Sequence, residues 1–377
     1  MSRPDFEPRW RRRAEAILER HYRPKLLRLL DRRPFDSPIV TETGRWAASP
    51  GQRWSDGFWP GIFWLSWRTT GDKRLRAAAE SCLEELAPRR DQADANYDLG
   101  FQYFYSFALG CRLTGDPTYR DTALAAARHL CDFETGPAGV ITITYPERIA
   151  RFGGPRVSTK IDVMMNLALL WWAHEETGES VFYEVARRHA ERSLETLLRD
   201  DGSAWELADF DPRTGALLMH DTPQVGARGG CWTRAQAWAI HGFVLAYSQT
   251  GEAAFQDAAS RAIGFWRDQV APGALPYWDL LAPPAERDAF DASAAAIVLA
   301  GLVQAQARGI ELPGRVRLID ESLEALVHSL APDDKDGVLN GGCAYYRKRE
   351  GLHGATVWGE YYFLEALARL SGAIAWP

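Results

Sequence analysis

The sequence predicts an all-α chain closed into an (α/α)6 barrel, and three observations predict it. A Thr-Gly-acid tripeptide recurs at Thr70-Gly71-Asp72, Thr114-Gly115-Asp116, Thr177-Gly178-Glu179 and Thr250-Gly251-Glu252. Each copy closes an apolar run and opens an amphipathic one, as a left-handed glycine C-cap followed by an acid at the next helix start would do. The runs before the tripeptides are apolar round most of their circumference, the pattern of helices buried on several sides, and the runs between them carry charged faces.

Taken in order, Arg11 to Leu30 opens the chain as a charged, amphipathic outer helix, and Phe58 to Thr70, crowded with Trp, is the first inner one. Arg74 to Leu86 is outer, Asp98 to Thr114 inner, Tyr119 to Asp132 outer, and Asp162 to Thr177, with its Leu-Leu-Trp-Trp centre, inner. Val181 to Leu198 and Ala253 to Gln269 flank the inner run Trp232 to Thr250. The Ala-rich Asp291 to Ala300 and the aromatic Thr356 to Leu367 complete six inner helices, with Val316 to Leu330 as the sixth outer one. Such a series hides all its apolar faces by closing into a ring of inner helices wrapped by outer ones, so residues 1–377 read as one barrel domain. Inner helices follow long loops and outer helices follow short turns. The long loops therefore gather at the inner helices' N-terminal rim, where Asp98 and Asp162 both fall. Pro272 to Pro284 is a Pro-rich loop, and Gly139 to Tyr145 is the one β-like patch, a short strand or hairpin in a rim loop.

Composition narrows the chemistry. A net charge of −6 with interspersed signs provides no broad cationic field, which argues against nucleic acid. The 15 Trp, 13 Tyr and 16 Phe are more aromatic surface than a core alone uses, and such an excess often lines a sugar-binding cleft. No run reaches the ~18 apolar residues that span a membrane, and the N-terminus lacks the apolar core of a secretory signal, so the expectation is a cytoplasmic protein, monomer or homodimer. Cys82, Cys111, Cys131, Cys231 and Cys343 have no Cys-x-x-Cys spacing and read as reduced thiols, not as disulfides or a zinc site. No His-Glu-x-x-His, nucleophile elbow, phosphate loop or dinucleotide fingerprint occurs.

Taken alone, an Asp at the head of a helix is more often an N-cap than a catalyst. Asp98 and Asp162 differ in heading two inner helices at one rim, among aromatic and apolar neighbours that would raise a carboxyl pKa as a general acid requires. Arg234 sits in the first turn of an inner helix, where a cation opposes the helix dipole and needs a partner. That partner is either a substrate carboxylate, with Trp238 one turn on to stack against a ring, or an internal aspartate. Trp54, outside its helix, is a better ligand candidate than Trp59, Trp64 or Trp67. His220 and His353 read as loop histidines of low specificity.

The ordered set Trp54-Ser-Asp-Gly-Phe-Trp-Pro-Gly, Asp98-Leu-Gly-Phe, Ile161-Asp-Val-Met-Met-Asn-Leu, Cys231-Trp-Thr-Arg-Ala-Gln-Ala-Trp, Asp291-Ala-Ser-Ala and Trp358-Gly-Glu-Tyr-Tyr-Phe resembles the unsaturated glucuronyl hydrolases, glycoside hydrolase family 88. The resemblance implies the same barrel and a reaction that hydrates the 4,5 double bond of an unsaturated uronic acid at the end of a lyase-generated oligosaccharide. It implies Asp162 as general acid and then base, Asp98 on the ring hydroxyls or the developing charge, and Arg234, Trp238, Gln224 and Trp54 around the sugar, with no metal or cofactor. Three positions depart from the family pattern: Tyr97 and Glu206 stand where it has His, and Tyr145 where it has a rim-loop Trp. These three are expected to line the hydroxyl-binding side. Alternatives on the same barrel are an unsaturated rhamnogalacturonyl hydrolase, a sugar epimerase or isomerase, and a non-catalytic sugar-binding protein. The His-poor inner helices argue against the epimerase, and retention of both acids argues against the silent binder.

Overall fold

The computed structural model describes residues 6–30, 38–40, 44–48, 53–92, 95–143, 146–225 and 229–374. Among them the expected alternation is complete. The outer helices are a first one built from Pro8–Ile17, a π-helical turn Leu18–Tyr22 and Arg23–Leu30, then Lys73–Leu86, Pro117–Cys131, Ser180–Leu197, Ala253–Gln269 and Arg315–His328. The inner helices are Phe58–Thr70, a second built from Leu99–Tyr103, a π-helical segment Phe104–Ala108 and Leu109–Thr114, then Val163–Thr177, Thr233–Thr250, Ala292–Ala307 and Val357–Leu370. Successive inner helices touch round the ring, and Val357–Leu370 packs on both Ala292–Ala307 and Phe58–Thr70, which closes it.

The recurring tripeptide explains how the chain reverses. At each of the four turns the threonine hydroxyl donates to a carbonyl one helical turn back, for example Thr70 to Ser66 at 2.7 Å and Thr250 to Ala246 at 2.9 Å. The same oxygen accepts from the backbone N–H of the acid two residues on, at 3.1–3.2 Å in all four copies. Between them the glycine takes φ of +71° to +75°, where a side chain is strained. Asp72 and Asp116 then cap the next helix through Arg74 N and Thr118 N. Inner helices are buried because they have no polar face to expose: Ala292 through Ala305 is buried throughout.

The β content exceeds the one patch expected. That patch resolves into Val140–Ile141 paired with Glu134–Thr135. Three more small antiparallel sheets are present: Pro38–Val40 with Trp46–Ala48, a three-stranded sheet of Val157–Lys160, Leu207–Phe210 and Leu217–Asp221, and a hairpin of Gly342–Tyr345 with Glu350–Gly354. His220 and His353 consequently lie on strands, not in loops. These strands escape a sequence reading because each is five residues or fewer and lies within a long loop, where strict alternation is too brief to register. No described helix is long and apolar enough to cross a membrane.

Candidate active site

The long loops and strands surround a cavity of about 260 Å³ at the N-terminal rim of the inner helices. Its wall includes Asp98, Asp162, Tyr97, Trp54, Gln224, Arg234 and Trp238 from the residues expected, together with Phe101, Lys160, Trp232, Tyr345, Lys348, Glu350 and Trp358.

Asp98 and Asp162 both occupy the N-cap position of an inner helix, yet neither side chain makes a capping bond. This distinguishes them from Asp72, Asp116 and Asp291, whose carboxylates accept from the first turn of the helix that follows. Asp162 Oδ1 is buried with no hydrogen-bond partner among the described residues, the kind of orphan a structural role does not explain. Burial raises the pKa of Asp98 well above the ordinary carboxyl range, and the negative charge of Asp162 raises it further, against a weaker pull from Lys160. Burial raises Asp162 as well, while Lys160 and Arg234 hold it back. Both carboxyls therefore retain a proton to higher pH than an exposed acid does.

A side chain the sequence reading passed over fixes how the two acids face each other. Asn166, one turn after Asp162, is fully buried, and its Oδ1 accepts from Phe101 N at 2.7 Å, three residues after Asp98. The helices approach closely because residue 100 is glycine: a Cβ there would come within 2.4 Å of Asn166 Cα and O.

On the other side of Asp162 the three-stranded sheet delivers Lys160. In the register of this sheet Lys160 opposes Leu207, and Ile161 N donates to Glu206 O at 3.0 Å. Glu206 therefore comes up behind the wall instead of lining it. It is buried, pairs with Lys160 Nζ at 3.3 Å, and accepts from Gln224 N at 2.8 Å. Burial raises its pKa, and Lys160 is the foremost opposing influence. The sheet is locked at its outer end by Asp209, which has no exposed surface and binds Arg148 at 2.7 Å, Arg156 at 3.1 Å and Ser158 Oγ at 2.5 Å.

For Arg234 the structure has the internal bridge. Nη1 binds Asp291 Oδ2 at 2.7 Å and Cys343 O at 2.8 Å, and Nη2 binds Ala344 O at 2.9 Å. The guanidinium lies over the rings of Trp232, 4.6 Å away, and Trp358, 5.1 Å away. Arg234 thus ties the 342–354 hairpin to two inner helices while one face of its surroundings forms cavity wall. Trp54 packs on Trp358 with ring centroids 4.7 Å apart, so these two and Trp232 make an aromatic side to the cavity. Trp238 is 1 % exposed, wedged against Phe101 and Tyr362, while Trp59 and Trp64 are core. Tyr145 lies outside the described residues. Lys160, Trp232 and Trp358 carried a signal that was available: Lys160 and Trp232 stand two residues from Asp162 and Arg234, and Trp358 opens the last of the quoted motifs.

A search of protein-family models finds none that matches the chain. The chain is 33% identical over 347 residues to an unsaturated glucuronyl hydrolase of Bacillus sp. (strain GL1), covering 89% of this chain and 91% of that protein. It is 28% identical over 346 residues to an unsaturated chondroitin disaccharide hydrolase of Streptococcus pyogenes serotype M1, covering 89% and 85%. Among solved structures, the unsaturated glucuronyl hydrolase from Bacillus sp. GL1 matches with a TM-score of 0.84 at 31% identity over 96% of each chain.

Proposed function

Because the chain belongs to the unsaturated glucuronyl hydrolase family, we propose that it hydrates the 4,5 double bond of the unsaturated uronic acid at the non-reducing end of lyase-generated oligosaccharides, with Asp162 as the acid that starts the reaction. One observation carries this reading: two desolvated carboxyls share one rim of an aromatic cavity, and neither is used as the helix cap its position offers.

The double bond is an enol ether, electron-rich at C4 because the ring oxygen on C5 donates into it. Asp162 gives its proton to C4, and positive charge spreads over C5 and the ring oxygen. The resulting carboxylate of Asp162 takes a proton from water as the water oxygen bonds to C5, which restores the acid. The hemiketal so formed opens, and the remaining sugar leaves. Asp98 holds the ring hydroxyls and supports the developing charge. Trp54, Trp232 and Trp358 supply the aromatic side, with Gln224, Tyr97 and Trp238 closing the subsite round the uronyl ring. Since a single carboxyl works in both directions, the spacing rule that separates retaining from inverting glycosidases does not apply. No step calls for a metal or cofactor. The buried or partly buried free thiols among the described residues suit a reducing compartment, and we place the reaction in the cytoplasm.

The test is loss of the ultraviolet absorbance of the conjugated enol-ether acid. The protein should consume at least one unsaturated uronyl disaccharide, and Asp162→Asn should lower kcat by about 100-fold or more, within the range for general acid–base catalysis. Absence of decay on every glycosaminoglycan, pectic and bacterial-polysaccharide product would refute the reaction. Undiminished decay with Asp162→Asn would refute the acid.

A further inference from the structure

We infer that Lys160, held in place by Glu206 and working with the side chain of Gln224, is the group that binds the substrate's carboxylate.

The inference rests on the hydration reading above, which sets a geometric demand. The acid must reach C4, and the uronic carboxylate hangs from the adjacent C5. A cation that orients this carboxylate must therefore stand beside Asp162. Arg234, the other cation weighed for the task, has both terminal nitrogens engaged, Nη1 by Asp291 and the carbonyl of Cys343 and Nη2 by the carbonyl of Ala344. Lys348 also lines the cavity, but it is an exposed residue lying over Tyr345 on the hairpin, at the mouth. Lys160 is two residues from Asp162, lines the same wall, and its side chain is 13% exposed, enough to meet a ligand in the cavity.

Glu206 gives this arrangement its order. Its two carboxylate oxygens gather Lys160 Nζ on one side and the backbone N–H of Gln224 on the other. Lys160 and Gln224 are thereby tethered to one carboxylate and both line the cavity, where an ammonium and a carboxamide can each donate to an anion. The pairing also tempers the ammonium charge. An uncompensated cation on the carboxylate would oppose the positive charge that develops at C5. A lysine already shared with a buried glutamate binds the anion with less of that opposition.

The experiment compares the unsaturated uronyl disaccharide with its methyl ester, both followed by ultraviolet absorbance. A hydrogen bond to a charged group contributes about 1.5–3 kcal/mol, so wild type should prefer the free acid by about 10–100-fold in kcat/KM. Lys160→Met should lose that factor on the acid, mainly through KM, over and above any change it makes on the ester, so that the preference collapses toward one. Lys160→Gln, which keeps a polar side chain of similar reach, should behave likewise if the methionine variant folds poorly by circular dichroism. Lys160→Arg should retain the preference. If Lys160→Met and Lys160→Gln lower both substrates equally, or leave the acid-to-ester ratio as in wild type, the assignment of Lys160 is overturned while the hydrolase reading stands. Wild type inert on both substrates overturns the two together.

Discussion

Substituting Gly100 by alanine tests whether catalysis depends on the spacing of the two acids. Gly100 lies two residues after Asp98, against Asn166, four residues after Asp162. An added Cβ would meet Asn166 Cα and O at 2.4 Å, where ordinary contact begins at 3.4 Å, so the two helix starts must separate by about 1 Å. Neither obstacle is a side-chain tip that can swing away; both are backbone of a buried inner helix. The displacement also pulls on the bond from Phe101 N to Asn166 Oδ1. Overpacking of this kind costs about 1–3 kcal/mol, which a chain of this size tolerates. A misplacement of about 1 Å at reacting groups costs about 100-fold in rate. Gly100→Ala should therefore fold, melt a few degrees lower, and lose about 100-fold in kcat on an unsaturated uronyl disaccharide. Gly115→Asn is the control: it sits at the far end of the same helix with nothing within 4 Å of its Cβ, in a conformation asparagine accepts, and should leave kcat unchanged. A folded Gly100→Ala variant within about twofold of wild type would refute the claim that the Gly100–Asn166 contact sets the catalytic geometry.

Further outcomes follow from the buried charges. Asp209→Asn leaves Arg156 facing a neutral amide inside the sheet, while Arg148 keeps Asp221 at 2.8 Å; it should destabilise the protein by about 1–3 kcal/mol in denaturant titration and lower kcat/KM, because the strand that Asp209 locks through Ser158 leads to Lys160 and Asp162. Glu360 is buried, and its pKa is pushed up from 4.5 to about 7, so its ionisation opposes folding. The penalty is absent below the unfolded value, grows between about pH 4.5 and 7, and persists above. Glu360→Gln should thus gain up to about 3 kcal/mol relative to wild type between about pH 4 and pH 8, and a flat difference would contradict it. Because burial raises both Asp98 and Asp162, kcat should hold to higher pH than an ordinary carboxylic acid allows and fall as pH passes the raised value; a profile already falling at about pH 4 would contradict the raised pKa of the acid.

The alternation of helices was legible because every part of its signal is local. A threonine hydroxyl bonded four residues back, a glycine at positive φ and an acid at the next start all lie within one helical turn of one another. The rim position of Asp98 and Asp162 followed from loop lengths alone. What was not legible depends on pairing across long stretches of chain. Lys160 meets Glu206 through a sheet whose strands are too short to announce themselves, and Arg234 finds Asp291 and the hairpin 57 and 109–110 residues away. Glu206 was expected on the cavity wall; the sheet register carries it one layer back, where it orders the residues in front. The aspartates' position could be read from sequence, but only the missing capping bonds separate them from structural acids.

The way Arg234 holds the 342–354 hairpin bears on how this protein could be retuned. Its guanidinium grips the main-chain carbonyls of Cys343 and Ala344, groups that any residue supplies, so the anchor is indifferent to the side chains it carries. The tip beyond, from Tyr345 to Glu350, reaches the cavity mouth as Tyr345, Lys348 and Glu350. The chain has in effect an interchangeable fitting on a fixed mount: substitutions at the tip can reshape the cavity mouth while the acids beneath, set on helices of the ring, keep their positions.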